Sequence, residues 1–183
     1  MRFQNPLLAV LSLFLLVGFC QASVGHTCVE MKHVLRDKPD LVLKKFETHV
    51  CEKGCKFTLH GGKFRKNVVL PAIFQASKEM GIRHHERTLI DVADDITKVA
   101  RQECGKKLGK KGDICQDRET LAELGKCIKD KIPAVINRRA RDLMPLVTEQ
   151  MCQKEKAYLV KPTLYEEVIP SLLDKYAATC EKA

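Results

Sequence analysis

Cysteine is the residue type with the clearest chemical meaning in this sequence. The chain has nine cysteines. Cys20 lies in an apolar N-terminal run that has the features of a cleaved signal peptide, so it should be absent from the secreted protein. An even set of cysteines in a secreted chain predicts disulfides, and the eight that remain without Cys20 predict four bridges. Those eight are Cys28, Cys51, Cys55, Cys104, Cys115, Cys127, Cys152 and Cys180. No C-x-x-C pair of the kind that binds zinc occurs, so we expect disulfides and no metal.

The spacing of these cysteines restricts their pairing without fixing it. Cys51 and Cys55 lie four residues apart at a predicted helix end, where a bridge between them has poor geometry, so each should pair elsewhere. Cys115 and Cys127 are too far apart if the helix between them is continuous. Cys104 and Cys115 flank a lysine- and glycine-rich loop that a bridge could close. The remaining pairings stay open.

The other residues that commonly perform chemistry do not form catalytic patterns. There is no H-E-x-x-H motif, and none of the serines lies in G-x-S-x-G. His84 and His85 are adjacent, so their side chains diverge, and we interpret them as part of a polar connection between helices. Asp94 and Asp95 should point apart on a solvated helix face. We therefore expect no catalytic residue, no cofactor and no enzymatic activity.

The N-terminal residues predict a signal peptide. Arg2 supplies a positive charge, residues 7–19 form an uncharged apolar run, and Cys20, Gln21 and Ala22 offer a cleavage site after Ala22. Residues 1–22 are accordingly a predicted leader, and residues 23–183 a single secreted domain. No second apolar run approaches the roughly 20 residues of a transmembrane helix, so we expect a soluble mature chain.

The charge of the chain favours anionic partners in general. Its formal net charge of +9 falls to +8 when Arg2 leaves with the leader. A lysine loop, which consists of Lys106, Lys107, Lys110 and Lys111, is a candidate patch for an anionic partner. Nucleic-acid binding is not favoured, because there is no tryptophan and few aromatic residues lie among the basic clusters.

Apolar residues recur at helical spacing along most of the chain, and no alternating pattern predicts a strand. The buried stripes predicted for three helices are Val42, Phe46 and Val50; Leu89, Val92, Ile96, Val99 and Ala100; and Leu121, Leu124 and Ile128. Ile73 and Phe74 should point inward on another helix, and Leu172, Leu173 and Tyr176 on the last. The sequence therefore predicts an all-α, single-domain bundle of six to eight helices held by about four disulfides.

Caps and breakers predict where these helices begin and end. Thr27 with Glu30, and Thr163 with Glu166, match the capping-box pattern. Thr88, Asn67 and Asp117 are candidate N-caps, and Gly81 should end a helix. Pro39 can begin a helix, Pro133 should break one, Pro145 should kink or split the segment 134–154, and Pro170 should restart the last.

Six of the cysteines follow one another as Cys28, then Cys51-Glu52-Lys53-Gly54-Cys55, then Cys104, Cys115 and Cys127. This order resembles that of the insect odorant-binding proteins. The gap from Cys115 to Cys127 is longer than in that family, and two further cysteines follow.

A second resemblance covers most of the mature chain. The segment Phe46-Glu47-Thr48 lies just before Cys51. A series of spaced cysteines follows, which consists of Cys104, Cys115, Cys127 and Cys152. The last of them begins the segment Cys152-Gln153-Lys154-Glu155. In these features the chain is similar to the insect twenty-seven-kilodalton haemolymph glycoprotein family. Cys55 and the lack of an N-glycosylation sequon depart from that pattern. The resemblance implies a secreted or circulating helical protein without an assigned biochemical role.

Two hypotheses of function remain. The first is a secreted binding protein that carries a small apolar ligand between its helices, where bundle proteins commonly bind ligands. The second is a cationic secreted effector, venom, salivary or antimicrobial protein that acts on an anionic surface or a host protein through the lysine loop.

Overall fold

The described part of the chain is almost entirely helical. The structure is a computed structural model and describes residues 26–34, 37–59, 62–105 and 113–182. Within these residues there are eight helices and no strand, apart from one isolated bridge between Cys55 and Lys182. The predicted all-α bundle of six to eight helices is therefore confirmed. The predicted leader, residues 1–22, and the lysine loop, Lys106, Lys107, Lys110 and Lys111, lie outside the described residues.

Several of the helices contain or end in a turn of different pitch. α1 is His26–Val34, α2 is Lys38–Phe46 with a π turn at Glu47–Cys51, and α3 runs through Gly62–Phe64, a π turn at Arg65–Val69 and Leu70–Met80. α4 is Glu86–Val99 with a π turn at Ala100–Cys104, and α5 is Arg118–Arg138. α6 is Ala140–Leu143 followed by a 3₁₀ turn at Met144–Leu146, and α7 is Glu149–Leu159. α8 joins a π turn at Leu164–Val168 to Ile169–Ala177.

Five of these helices form a closed ring. α2 packs against α5, α5 against α4, α4 against α3, α3 against α8, and α8 returns to α2. α7 (Glu149–Leu159) packs against α3, and α1 packs on the outside of α7. No helix in the described ranges is both long enough and apolar enough to span a bilayer.

The prolines act in different ways on the helices that contain them. Pro39 lies in the first turn of α2 and Pro145 in the 3₁₀ turn that separates α6 from α7, as predicted. Pro133 does not break a helix, because α5 continues through it to Arg138. Just before Pro71 and Pro170, the backbone N–H of Leu70 donates to Arg65 and that of Ile169 to Leu164, five residues back. The π turn thus changes the hydrogen-bond register at the point where proline cannot donate.

Most of the predicted caps are wrong, and at the first of them the side chains contact another helix. Thr27 donates to the Glu149 carboxylate from its backbone N–H (2.9 Å) and its hydroxyl (2.5 Å), while Glu30 pairs with Lys156 at 2.8 Å. These contacts tie α1 to α7 in place of a capping box. Thr163 forms no side-chain cap hydrogen bond, and Asn67 and Thr88 lie inside helices.

Two predicted helix ends are correct. Asp117 accepts a hydrogen bond from the Thr120 N–H at 2.6 Å and caps α5. Gly81 ends α3 with a φ of 70°, a left-handed conformation that residues with a Cβ adopt at a cost.

The four predicted disulfides are present, and each joins different segments of the fold. They are Cys28–Cys152, Cys51–Cys115, Cys55–Cys180 and Cys104–Cys127. Cys51 and Cys55 pair elsewhere, as predicted. Cys104 does not pair with Cys115 across the lysine loop. It lies at the end of α4, beside α5, and forms its disulfide there with Cys127.

Three of these bridges surround the densely packed end of the bundle. Phe46, Phe57, Phe64 and Tyr176 meet edge to face there, with ring centroids 4.8–6.2 Å apart. Val50, Leu121, Leu124 and Leu173 complete the buried cluster around Cys55 and Cys104. The predicted inward residues of α2, α5 and α8 are therefore mostly buried here, but Phe74 of α3 is 46% exposed and its predicted inward orientation is wrong.

Candidate apolar ligand-binding cavity

The ring of helices encloses a large apolar space next to the packed end. This principal cavity has a volume of about 810 Å³ and opens to solvent. Every helix except α1 contributes to its wall. Of its lining residues, Glu155 and Tyr158 alone carry a side-chain polar group.

Small residues on facing helices create the space. Ala72 and Ala76 lie one turn apart on α3, Ala93 lies on α4, and Ala140 begins α6. Their side chains end at Cβ, so they fill little of the volume between the helices. Larger apolar side chains at these positions would occupy that volume.

The large apolar side chains around this space are only partly covered by other protein atoms. Val42 is 37%, Ile136 38% and Met144 48% exposed, and all three line the principal cavity. Part of their accessible surface is therefore cavity wall. This arrangement leaves apolar surface available to a ligand of the same character.

The predicted stripe of α4 divides between the cavity and the packed end. Leu89, Val92 and Ile96 line the principal cavity, whereas Val99 and Ala100, one turn further along, are buried. The periodicity correctly placed all five on the inner face. It did not distinguish residues that pack from residues that line a cavity, since both face inward.

A second cavity of about 540 Å³ adjoins the first. The two share eight lining residues: Val42, Phe46, Phe64, Val69, Ile96, Leu159, Leu164 and Ile169. Its lining includes the basic residues Lys38, Arg65, Arg101 and Lys129. Lys129 pairs with Asp40 at 3.1 Å, and the Lys38 ammonium lies 4.4 Å from the centre of the Tyr165 ring. The shared wall makes the two cavities neighbouring parts of one hollow interior.

Polar contacts join each neighbouring pair of helices around the ring. Asp94 of α4 binds Arg65 of α3 at 2.6 and 2.8 Å, and Asp95 binds Arg139, which follows α5, at 2.7 Å. His49 of α2 lies 2.9 Å from Asp174 of α8, and Asn67 of α3 donates to Thr179 after α8. The hydrogen bonds from Arg65 and Arg139 hold the pKa values of Asp94 and Asp95 below their ordinary value.

The two adjacent aspartates therefore point apart, as predicted, but their side chains do more than face solvent. Each one fixes α4 to a different neighbour, and together they hold the wall of the principal cavity. The sequence held no signal for this role, because the arginine partners lie far away along the chain.

Glu155 differs from the other carboxyl groups near α7. It lines the principal cavity, is half-buried, and has no hydrogen bond or ion pair within the described part of the chain. Burial raises its pKa to about 7. Tyr158 lies one turn further along on the same helix, and burial raises the pKa of its hydroxyl to about 12. The two polar residues of the cavity thus share one face of α7.

The remaining candidate residues from the sequence lie away from this cavity. His84 and His85 lie in a 3₁₀ turn at Arg83–His85 between α3 and α4. Their ring centroids are 4.1 Å apart, so the prediction that the two side chains diverge is wrong. Burial, followed by the charge of His84, lowers the pKa of His85. Among the described residues, no group of three His, Cys, Asp or Glu side chains is arranged to hold a metal ion. Cys28 and the seven cysteines that follow it are all in the disulfides described above.

Comparison with known proteins leaves this geometry as the basis for assigning a function. No protein-family model, curated protein or solved structure matches the chain.

Proposed function

We propose that this chain is a secreted, non-enzymatic protein that binds a small apolar molecule in the principal cavity. The observation that carries the proposal is the cavity itself, about 810 Å³ in volume, with a wall that is apolar except at Glu155 and Tyr158. Ligand pockets commonly have volumes of about 300–1,000 Å³ and mostly apolar walls with a few polar groups. The resemblance to the haemolymph family stays a prediction that is compatible with such a role.

The apolar wall that this space leaves in contact with water supports the proposal. The principal cavity opens to solvent, so water reaches its wall when no ligand is bound. Moving apolar surface out of water gains roughly 25 cal/mol per Å². An apolar ligand would displace that water and cover the wall, and this gain favours binding.

The disulfides support secretion and explain how a hollow bundle could remain stable. Four bridges are typical of proteins from oxidising compartments. Three of them hold the packed end, so the helices around the cavity are anchored at one side whether or not a ligand is bound.

Binding of a neutral fluorescent probe tests the proposal. The protein is purified from the medium of a host that expresses the full coding sequence, and is titrated with N-phenyl-1-naphthylamine. We expect saturable binding at a single site, and an N-terminus at Ser23 in the secreted protein. Native mass spectrometry of the same sample should reveal any small molecule that is purified with the protein.

Filling the cavity provides the decisive variant. Ala93→Phe places a ring in the space between α3 and α4 and should weaken probe binding at least about tenfold, because it removes the volume that the probe occupies. Ala134→Phe, at an exposed position of α5, is the matched control and should bind as the wild type does. Equal binding by the two variants, or no saturable binding by the wild type, would overturn the proposal.

A further inference from the structure

The wall of the principal cavity has one ionisable carboxyl group, and it has no partner within the described chain. Glu155 lies on α7 between the ends of the helix, with Tyr158 one turn away on the same face. A polar group placed in an otherwise apolar pocket usually fixes the orientation of the ligand.

The surrounding carboxyl groups make Glu155 an exception. Glu149, also on α7, accepts two hydrogen bonds from Thr27. Glu30 of α1 pairs with Lys156, and Glu79 of α3 pairs with Lys161 at 3.0 Å. The carboxyl groups on α7 and on the two helices packed against it are therefore satisfied by protein partners, except for Glu155.

We infer that Glu155 binds the polar head of the ligand, and that the principal cavity therefore takes an amphiphile whose head donates a hydrogen bond, an alcohol or an amine. This inference rests on the proposed function and specifies its ligand class. A carboxylate accepts hydrogen bonds and attracts a cation, whereas it repels a carboxylate head. The apolar wall would contact the tail. Tyr158 can accept or donate a second hydrogen bond to the same head.

The packing of the cavity favours this reading over a purely structural role for Glu155. A structural carboxylate of this fold is joined to a neighbouring helix, as Asp94 and Asp95 are. Glu155 makes no such contact within the described residues, and its burial raises its pKa. A head that donates a hydrogen bond would provide the missing partner and favour the ionised form.

A matched series of dodecyl ligands tests the inference. Dodecylamine, dodecanol, dodecyl methyl ether and dodecanoate share one chain length and differ in the head. They are compared by displacement of N-phenyl-1-naphthylamine at about pH 8.5, where a carboxyl with a pKa of about 7 is ionised. We expect the amine and the alcohol to bind at least about tenfold more tightly than the ether, which only accepts hydrogen bonds. Dodecanoate should bind more weakly than the amine.

Two variants assign this preference to Glu155. Glu155→Gln keeps an acceptor but removes the charge, so the amine should lose at least about tenfold in affinity while the alcohol changes by less than about threefold. Glu155→Leu should remove the advantage of both heads and retain binding of the ether. If Glu155→Leu does not fold, the split between amine and alcohol in Glu155→Gln still decides the question.

The possible failures separate the inference from the proposed function. If none of the four ligands displaces the probe and the probe itself does not bind, the proposed function is wrong, and the inference fails with it. If the ligands bind with equal affinity, if dodecanoate binds as tightly as dodecylamine, or if Glu155→Gln leaves the order unchanged, the inference is overturned while the cavity remains a binding site.

Discussion

Replacing Glu155 with glutamine should stabilise the empty protein at neutral and alkaline pH but not in acid. Burial raises the pKa of Glu155 from its ordinary value of 4.5 to about 7 in the folded protein. One pKa unit corresponds to about 1.4 kcal/mol, and water screens the exposed part of the side chain, so the ionised carboxyl destabilises the fold by about 2 kcal/mol. Glu155 forms no ion pair within the described residues that would offset this cost, and the nearby Lys156 and Lys161 pair with Glu30 and Glu79.

The sign of the pH dependence follows from which state ionises first. Below pH 4.5 the carboxyl is protonated in both states and contributes nothing. Between 4.5 and about 7 the unfolded chain ionises before the folded one, so the free energy of unfolding falls as the pH rises. Above about pH 7 the carboxyl is ionised in both states, and it destabilises the folded protein by the full amount. The stability gained by Glu155→Gln should therefore grow across this window and then remain constant.

Urea denaturation of the wild type and of Glu155→Gln at pH 4.5 and pH 8 measures this change directly. The difference between the two proteins should increase by about 2 kcal/mol between these pH values, or roughly 4–8 °C in Tm. Glu79→Gln is the control of opposite sign, since the hydrogen bond from Lys161 lowers the pKa of Glu79. A difference between wild type and Glu155→Gln that is the same at both pH values would refute the reasoning.

Three further predictions concern the framework around the cavity. Removing Cys28–Cys152, which spans 124 residues, by a double replacement with serine should cost about 5 kcal/mol, against about 3 kcal/mol for Cys104–Cys127, which spans 23. Denaturation by urea gives both values, and the reverse order would contradict the loop-closure argument. Asp113→Ala should lower the free energy of unfolding by about 2 kcal/mol or more and speed hydrogen exchange at Phe57 and Cys115. The reason is that the buried carboxylate accepts hydrogen bonds from both backbone N–H groups, at 2.9 and 3.0 Å. Asp113→Asn retains an acceptor and should lose less stability. Gly81→Ala should lower the stability measured by thermal unfolding by about 1–2 kcal/mol, because Gly81 has a φ of 70°. Gly62→Ala is the control and should be near neutral, since Gly62 has open space around it and no positive φ. Equal effects of the two replacements would exclude backbone strain at Gly81.

The sequence by itself determined the helical class and the number of bridges. Helical spacing of apolar residues such as Leu121 and Leu124 is a local property, and it is retained whatever the helices pack against. An even number of cysteines similarly predicts disulfides before any contact is known. Asp117 and Gly81 were found because an N-cap and a left-handed helix end depend on residues a few positions away.

Tertiary structure decided which of these local patterns were used. Thr27 and Glu30 match a capping box, yet contacts with Glu149 and Lys156 of α7 replaced it. Cys104 pairs with Cys127 because α4 lies along α5, a fact that spacing alone does not contain. Pro133 lies within a continuous helix although proline disfavours a helix interior, so its local preference did not decide where α5 ends.

The candidate site depended most on the tertiary structure. Leu89 and Val99 both repeat at helical spacing, but Leu89 lines the cavity while Val99 is packed. Periodicity reports only that a side chain faces inward; whether it meets another side chain or an open space depends on alanines such as Ala72 and Ala76 on a different helix. Glu155 likewise looks like any charged residue in the sequence, and it becomes a candidate ligand contact only because the ring of helices leaves it facing an apolar cavity without a partner.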